Sequence, residues 1–142
     1  MISTKGRYAL HIMIDLAQHN DGSFIPLKDI SARQTISKKY LEIIIKELVV
    51  HNLVDSLAGK GGGYRLNKLP EEYTVEEILV ATEGTLAPIA CLKEDAKECP
   101  NALKCDTLPF WKEYYDLIHN FFKNKHLTDL LPVKEDSDDY VI

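Results

Sequence analysis

Ser37-Lys38-Lys39-Tyr40-Leu41-Glu42-Ile43-Ile44-Ile45-Lys46-Glu47-Leu48, followed ten residues on by Ala58-Gly59-Lys60-Gly61-Gly62-Gly63, is the stretch that decides the fold. Ser37 reads as the N-cap of a helix, its hydroxyl free to accept from the unpaired N–H groups of the first turn. The helix runs to about His51. It buries Leu41, Ile44, Ile45 and Leu48 and turns Lys38, Lys39, Glu42 and Lys46 to the other face. Residues 53–57 and 64–66 read as two short strands joined by the glycine-rich turn between them.

Working outward from this stretch, residues 4–19 read as a helix with Leu10, Met13, Ile14 and Ala17 on one face. A turn at 20–23 follows, and Pro26 suits the first position of a second helix that reaches about Arg33. Residues 34–36 are a tight link. Helices joined by such a link, followed by a two-stranded hairpin, make the winged helix-turn-helix pattern. Downstream, Thr74 with Glu77 forms a capping box, Tyr73 with Ile78 the matching hydrophobic staple, and Gly84 ends that helix. Pro109 lies in the first turn of a last, long helix, which carries six of the chain's twelve aromatics in two adjacent apolar seams. A helix this apolar, in a chain with an acidic second half, is expected to pack on its twin in a homodimer.

The expected fold class is therefore mostly α with a small β-hairpin wing. A winged helix-turn-helix domain occupies 1–84, a cysteine loop 85–105, a dimerisation helix region 106–131, and a disordered acidic tail 132–142. The net charge of −5 hides an asymmetry. Residues 1–68 carry ten Lys/Arg against six Asp/Glu, and residues 69–142 carry seven against sixteen. Only the first half can approach a polyanion comfortably. No apolar run approaches the roughly 18 residues of a membrane span, and the amino-terminal stretch is no signal peptide, so a cytoplasmic protein is expected.

An α-helix fits the major groove, and side chains near its amino terminus reach base edges. Those residues are Ser37, Lys38, Lys39, Tyr40 and Glu42, with Lys46 on the same face. Glu42 would be repelled by phosphate but can accept from a cytosine amino group. Pairs Lys38–Glu42 and Glu42–Lys46 along the helix are the plainer use of these charges. In the wing, Lys60 supplies charge, and Gly61 and Gly62 let backbone approach the duplex. A phosphate-binding P-loop is excluded, because no Lys-Ser/Thr follows and no helix begins there.

Cys91, Cys99 and Cys105 are the chain's three cysteines, spaced Cys-x7-Cys-x5-Cys. An odd trio in a reducing compartment is not a disulfide framework. The spacing lacks the close pairs of zinc ribbons, so an iron–sulfur cluster, a zinc ion and a thiol switch all stay open. No nucleophile–base arrangement has local support, the five histidines are scattered, and the cysteine pattern of a ferredoxin is absent. Neither an enzyme with a small-molecule substrate nor an electron carrier is expected.

Ser3-Thr4-Lys5-Gly6-Arg7-Tyr8-Ala9-Leu10, Ile36-Ser37-Lys38-Lys39-Tyr40-Leu41-Glu42 and Gly61-Gly62-Gly63-Tyr64, with the later cysteines and aromatic helix, resemble the Rrf-two family of bacterial winged-helix regulators. The likeness is to its cysteine-bearing branch of iron–sulfur and nitric-oxide sensors and covers about residues 1–131. It implies a homodimer on a pseudo-palindromic promoter site, with the long helix as dimer axis. It also implies a cluster on Cys91, Cys99 and Cys105, with 2Fe-2S favoured over 4Fe-4S, and a repressor that senses iron–sulfur, redox or nitric-oxide status.

Three departures qualify this. A ligand histidine of the branch falls at Leu108, and an aspartate used by other members falls at Arg7. A histidine on the first helix, used by another relative, falls at His11, which makes His11 of the partner subunit the expected fourth ligand. Asp106, glutathione or water are the alternatives. Ala58 stands where members carry an arginine before the wing glycines, so the operator need not be shared. Cysteine-less members of the family leave a second reading: a metal-free regulator of sulfur or cysteine metabolism that responds to thiol oxidation or to a protein partner.

Overall fold

The computed structural model describes residues 1–97 and 100–132, so Cys99 and the expected acidic tail beyond residue 132 lie outside the described residues. Helix α1 (Thr4–Gln18) begins where the Ser3 hydroxyl accepts from the Gly6 N–H at 3.2 Å. Its fully buried row is Ala9, Ile12, Met13 and Leu16. Of the expected face only Met13 belongs to that row; Leu10, Ile14 and Ala17 are half-buried beside it. The difference arises because α1 is covered on several sides, by the other helices of the first half, by a strand of the wing and by the helix that follows the wing.

Helix α2 (Leu27–Gln34) starts one residue later than expected, with Pro26 as its extended N-cap. Ile25 exchanges two backbone hydrogen bonds with Tyr64 of the wing, and this holds the chain extended into Pro26. The link after α2 turns on Thr35, whose φ of 56° is left-handed, and Ser31 Oγ donates to the Ile36 carbonyl at 2.6 Å across it. Asp15 is completely buried under this turn. Arg33 donates to both of its carboxylate oxygens, at 2.9 and 3.0 Å, and Gln34 Nε2 adds a third bond at 2.9 Å. Bidentate pairing of this kind is what allows a buried carboxylate.

Helix α3 (Lys38–Val50) buries the four residues expected of it, Leu41, Ile44, Ile45 and Leu48. Strands β1 (Val54–Leu57) and β2 (Gly63–Leu66) pair antiparallel from Val54↔Leu66 to Leu57↔Gly63. Two of the wing glycines are required by packing. A Cβ at Gly62 would collide with the Leu57 carbonyl, and one at Gly63, where φ is 149°, with the Ile25 carbonyl. Tyr73 ties the base of the wing to the helix beyond it. Its ring is fully buried; its hydroxyl donates to the Leu53 carbonyl at 2.8 Å and accepts from the N–H groups of Asn67 and Lys68.

Helix α4 (Val75–Glu83) has Thr74 as its N-cap, accepting from the Glu77 N–H at 3.1 Å, and ends at Gly84 with φ 80°. The expected reciprocal half of the box is replaced: the Glu77 carboxylate takes Lys68 Nζ at 3.0 Å. Tyr73 and Ile78, the expected staple, share the buried core. Helix α5 (Leu108–Lys123) packs on α4. A further short helix, α6 (Leu127–Leu130), was not expected. The backbone before it bonds to that of Tyr73 and Val75, and Leu127 is fully buried in the core of the first half. Among the described residues, no helix is long and apolar enough to cross a membrane.

Candidate nucleic-acid interface and cysteine loop

The helix-turn-helix link and the core of α1 fix α3 from behind, so its outer face projects freely. Lys38, Lys39, Glu42 and Lys46 are all exposed there. The ion pairs that are the plainer alternative for this face, Lys38–Glu42 and Glu42–Lys46, are not formed among the described residues. Glu42 is thus left without a cationic partner among the described residues. Ser37 and Tyr40 have structural work as well. Ser37 Oγ accepts from the Tyr40 N–H at 3.3 Å, and the half-buried Tyr40 ring meets Tyr8 of α1 edge-on at 5.6 Å.

In the wing, Lys60 and Gly61 are exposed at the tip and Gly62 is half-buried. Arg65 braces the strand pair. Its guanidinium lies 4.2 Å from the centre of the Phe24 ring and donates to the Gly22 carbonyl at 2.8 Å.

Among its described residues the cysteine loop contains two single turns of tight helix, Ala90–Leu92 and Ala102–Lys104. Cys91 is exposed in the first turn, and the half-buried Cys105 ends the second; both are free thiols. Cys105 Sγ lies 3.6 Å from Thr107 Oγ1. That hydroxyl and the Thr107 N–H favour the thiolate and hold the thiol below its ordinary value, against the opposing charge of Asp106. Soft sulfur that favours the thiolate is the donor chemistry that an iron–sulfur cluster or a zinc ion takes. Cys99, the third expected ligand, lies outside the described residues.

Among the described residues, no three His, Cys, Asp or Glu side chains gather as a metal site, so one chain does not bring His11 together with Cys91 and Cys105. His11 is exposed on α1, which excludes a core histidine. Asp106 is exposed next to Cys105, and Leu108 opens α5 half-buried.

The loop is tied to the rest of the molecule by Glu94. One carboxylate oxygen accepts from Tyr115 Oη of α5 at 2.7 Å, the other from Thr85 Oγ1 just after α4 at 3.0 Å. Both bonds hold the Glu94 carboxyl below its ordinary value, and the bond to Glu94, with burial, pushes the Tyr115 phenol up to about 12. One turn on, His119 Nδ1 lies 3.0 Å from Glu76 Oε2 and joins α5 to α4 again.

The two seams of α5 have different fates. Trp111, Tyr115, Ile118 and Phe122 are half-buried, and Phe122 packs against Val75, Leu79 and Leu86. Phe110, Tyr114, Leu117 and Phe121 are 61, 44, 69 and 57% exposed. Their spacing of four, three and four residues makes one continuous apolar row. Sequence reasoning missed the Glu94 tether, the Asp15–Arg33 pair and an exposed Ile43 on α3. Only Asp15, as a break in an apolar face, and Ile43, as one of three successive isoleucines, gave a signal.

Comparison with known proteins places this geometry. The family model Rrf2, described as an iron-dependent transcriptional regulator, matches residues 2–132. The HTH-type transcriptional regulator IscR of Pectobacterium atrosepticum is 36% identical over 134 residues, which cover 94% of this chain and 80% of that one. The Escherichia coli IscR is 34% identical, covering 94% and 82%. Among solved structures, CymR, the global cysteine regulator of B. subtilis, has a TM-score of 0.72 at 33% identity, covering 92% of this chain and 95% of that one. The T. potens IscR has a TM-score of 0.72 at 30% identity, covering 100% and 93%. These relatives carry the same mostly helical fold with a two-stranded wing and are regulators rather than enzymes. With the match running through helix-turn-helix, wing, cysteine loop and long helix alike, the chain belongs to the Rrf2 family of transcriptional regulators.

Proposed function

We propose that the chain is a cytoplasmic, homodimeric repressor that binds promoter DNA and senses iron–sulfur, redox or nitric-oxide status through its cysteine loop. The observation that carries the DNA half is the outer face of α3: three exposed lysines around a Glu42 that has no cationic partner among the described residues. Lysines hold phosphates and set register, while a carboxylate free of lysine can accept from a cytosine amino group. Ser37, Lys38, Lys39, Tyr40, Glu42 and Lys46 enter the major groove, and Lys60, Gly61 and Gly62 follow the backbone beside it. Residues 1–84 form the DNA-reading domain, 85–105 the sensing loop and 106–131 the dimer region.

Cys91, Cys99 and Cys105 would hold a 2Fe-2S cluster in preference to 4Fe-4S, with His11 of the partner subunit as fourth ligand and Asp106 as the alternative. Such a cluster supplies an exchangeable, redox-sensitive centre when bound. The chain's own residues supply the route to DNA. Glu94 links the loop to Tyr115 and Thr85, and α4, which ends at Gly84, packs on α1 and α3. A loop that makes different contacts in two states biases α3 by no more than that difference.

A second reading is favoured by the likeness to CymR and by the lowered Cys105 thiol: a metal-free regulator of sulfur or cysteine metabolism that responds to thiol oxidation or to a protein partner. Anaerobic purification with visible absorption and iron, sulfide and zinc analysis separates the two. The first reading predicts a coloured protein with iron and sulfide, and a His11→Ala variant with lower occupancy or a shifted spectrum. A colourless protein, metal-free or holding stoichiometric zinc, would overturn it.

A further inference from the structure

Ile43, Ile44 and Ile45 follow one another on α3, and a helix of 3.6 residues per turn cannot turn all three to one core. Ile44 and Ile45 are buried to 0 and 1% exposure, whereas Ile43 is 49% exposed. At 100° per residue, the buried set Leu41, Ile44, Ile45 and Leu48 faces almost directly away from the row Lys39, Ile43, Lys46. Ile43 therefore stands on the outward face of the helix, about 30° from its most outward line and one turn from a lysine on either side. Glu42 is its neighbour at the edge of the same face. Both lysines are exposed and form no ion pair among the described residues.

A single exposed apolar residue is ordinary on a protein surface. This one is not placed like an ordinary one. A β-branched side chain is a poorer helix former at a solvent position than the lysines flanking it, so neither packing within the chain nor helix propensity accounts for it. Its polar neighbours face a polyanion, and in the major groove the apolar feature on offer is the 5-methyl group of thymine. We propose that Ile43 is a sequence-reading residue that packs against a thymine methyl group in each half-site. Glu42 and Ile43 together then read a cytosine and a thymine close by, one through a hydrogen bond and the other through apolar contact.

This rests on the DNA-binding reading of α3. The test selects bound sites from a pool of random duplexes with the anaerobically prepared full-length protein. Each thymine of the selected site is then replaced by deoxyuridine, which removes only the methyl group. Affinities are read by fluorescence anisotropy. One replacement per half-site should weaken the wild type about fourfold, the effect of uncovering one methyl group. Ile43→Ala, with an unchanged circular dichroism spectrum and unfolding midpoint, should bind the thymine and uracil forms equally. If the wild type is indifferent to every replacement, or Ile43→Ala keeps the same sensitivity, the assignment fails while DNA binding stands. If no duplex is enriched at all, the DNA-binding reading itself fails and Ile43 with it.

Discussion

Asp15 shows what one residue contributes to holding α3 in place. Its carboxylate has no access to solvent, and its three hydrogen bonds come from Arg33 and Gln34 at the end of α2. Asp15→Asn keeps the shape but removes the charge and at least one acceptor, leaving Arg33 to turn toward water. The expected cost is about 2–3 kcal/mol, the scale of a charged hydrogen bond lost inside a protein. It should be seen as a lower urea midpoint at unchanged slope, and an unaltered midpoint would contradict the pairing. The sequence shows Asp15 only as an interruption of an apolar face, because its partner is 18 residues away across a turn that no periodicity describes. The exposed face of α3 was legible for the opposite reason: local helix geometry alone turns Lys38, Lys39, Glu42 and Lys46 outward. Whether those charges pair with one another depends on side-chain rotamers, and Lys38–Glu42 and Glu42–Lys46 do not pair.

At the scale of elements, the two apolar seams of α5 were legible from aromatic spacing, but their fates were not. Which seam meets α4 depends on how the chain after α5 returns, and that return is set by α6, four residues long with no period to read. The exposed row of Phe110, Tyr114, Leu117 and Phe121 is the proposed dimer contact. Leu117→Glu puts a charge at its centre and should give a monomer of unchanged helical content in light scattering; a persistent dimer would place the contact elsewhere. The tether between loop and α5 has a pH window that follows from its two groups. Glu94 is held below its ordinary value, so the tether persists down to acid and is lost as pH falls through that lowered value. Tyr115 is raised, so the tether is also lost when pH climbs through about 12. At pH 8 it is intact, and Tyr115→Phe should speed tryptic cleavage at the exposed Lys93 and Lys97. Equal cleavage rates would show that Glu94 does not restrain the loop.

For the whole molecule, the charge asymmetry reads as a division of labour. The basic half carries α3 and the wing, and the acidic half carries the cysteine loop and α5. The structure fastens the halves together through α4 on α1 and through Leu127 in the core of the first half, and within the second half Glu94 ties the loop to α5. A change at the loop therefore has a physical path to α3 and the wing, the proposed DNA-facing surface. Association with DNA should weaken with salt, with a log–log slope of about −0.9 per phosphate neutralised. The central claim is that the state of the cysteine loop sets DNA affinity. Its most direct test is the anaerobic Kd of the full-length protein for a selected site, measured with iron and sulfide loaded, after iron removal, and in Cys91→Ala. The account predicts a difference of about tenfold or more between the loaded and stripped wild type, with Cys91→Ala behaving as the stripped form whether or not iron and sulfide are supplied. One Kd shared by all three would contradict it.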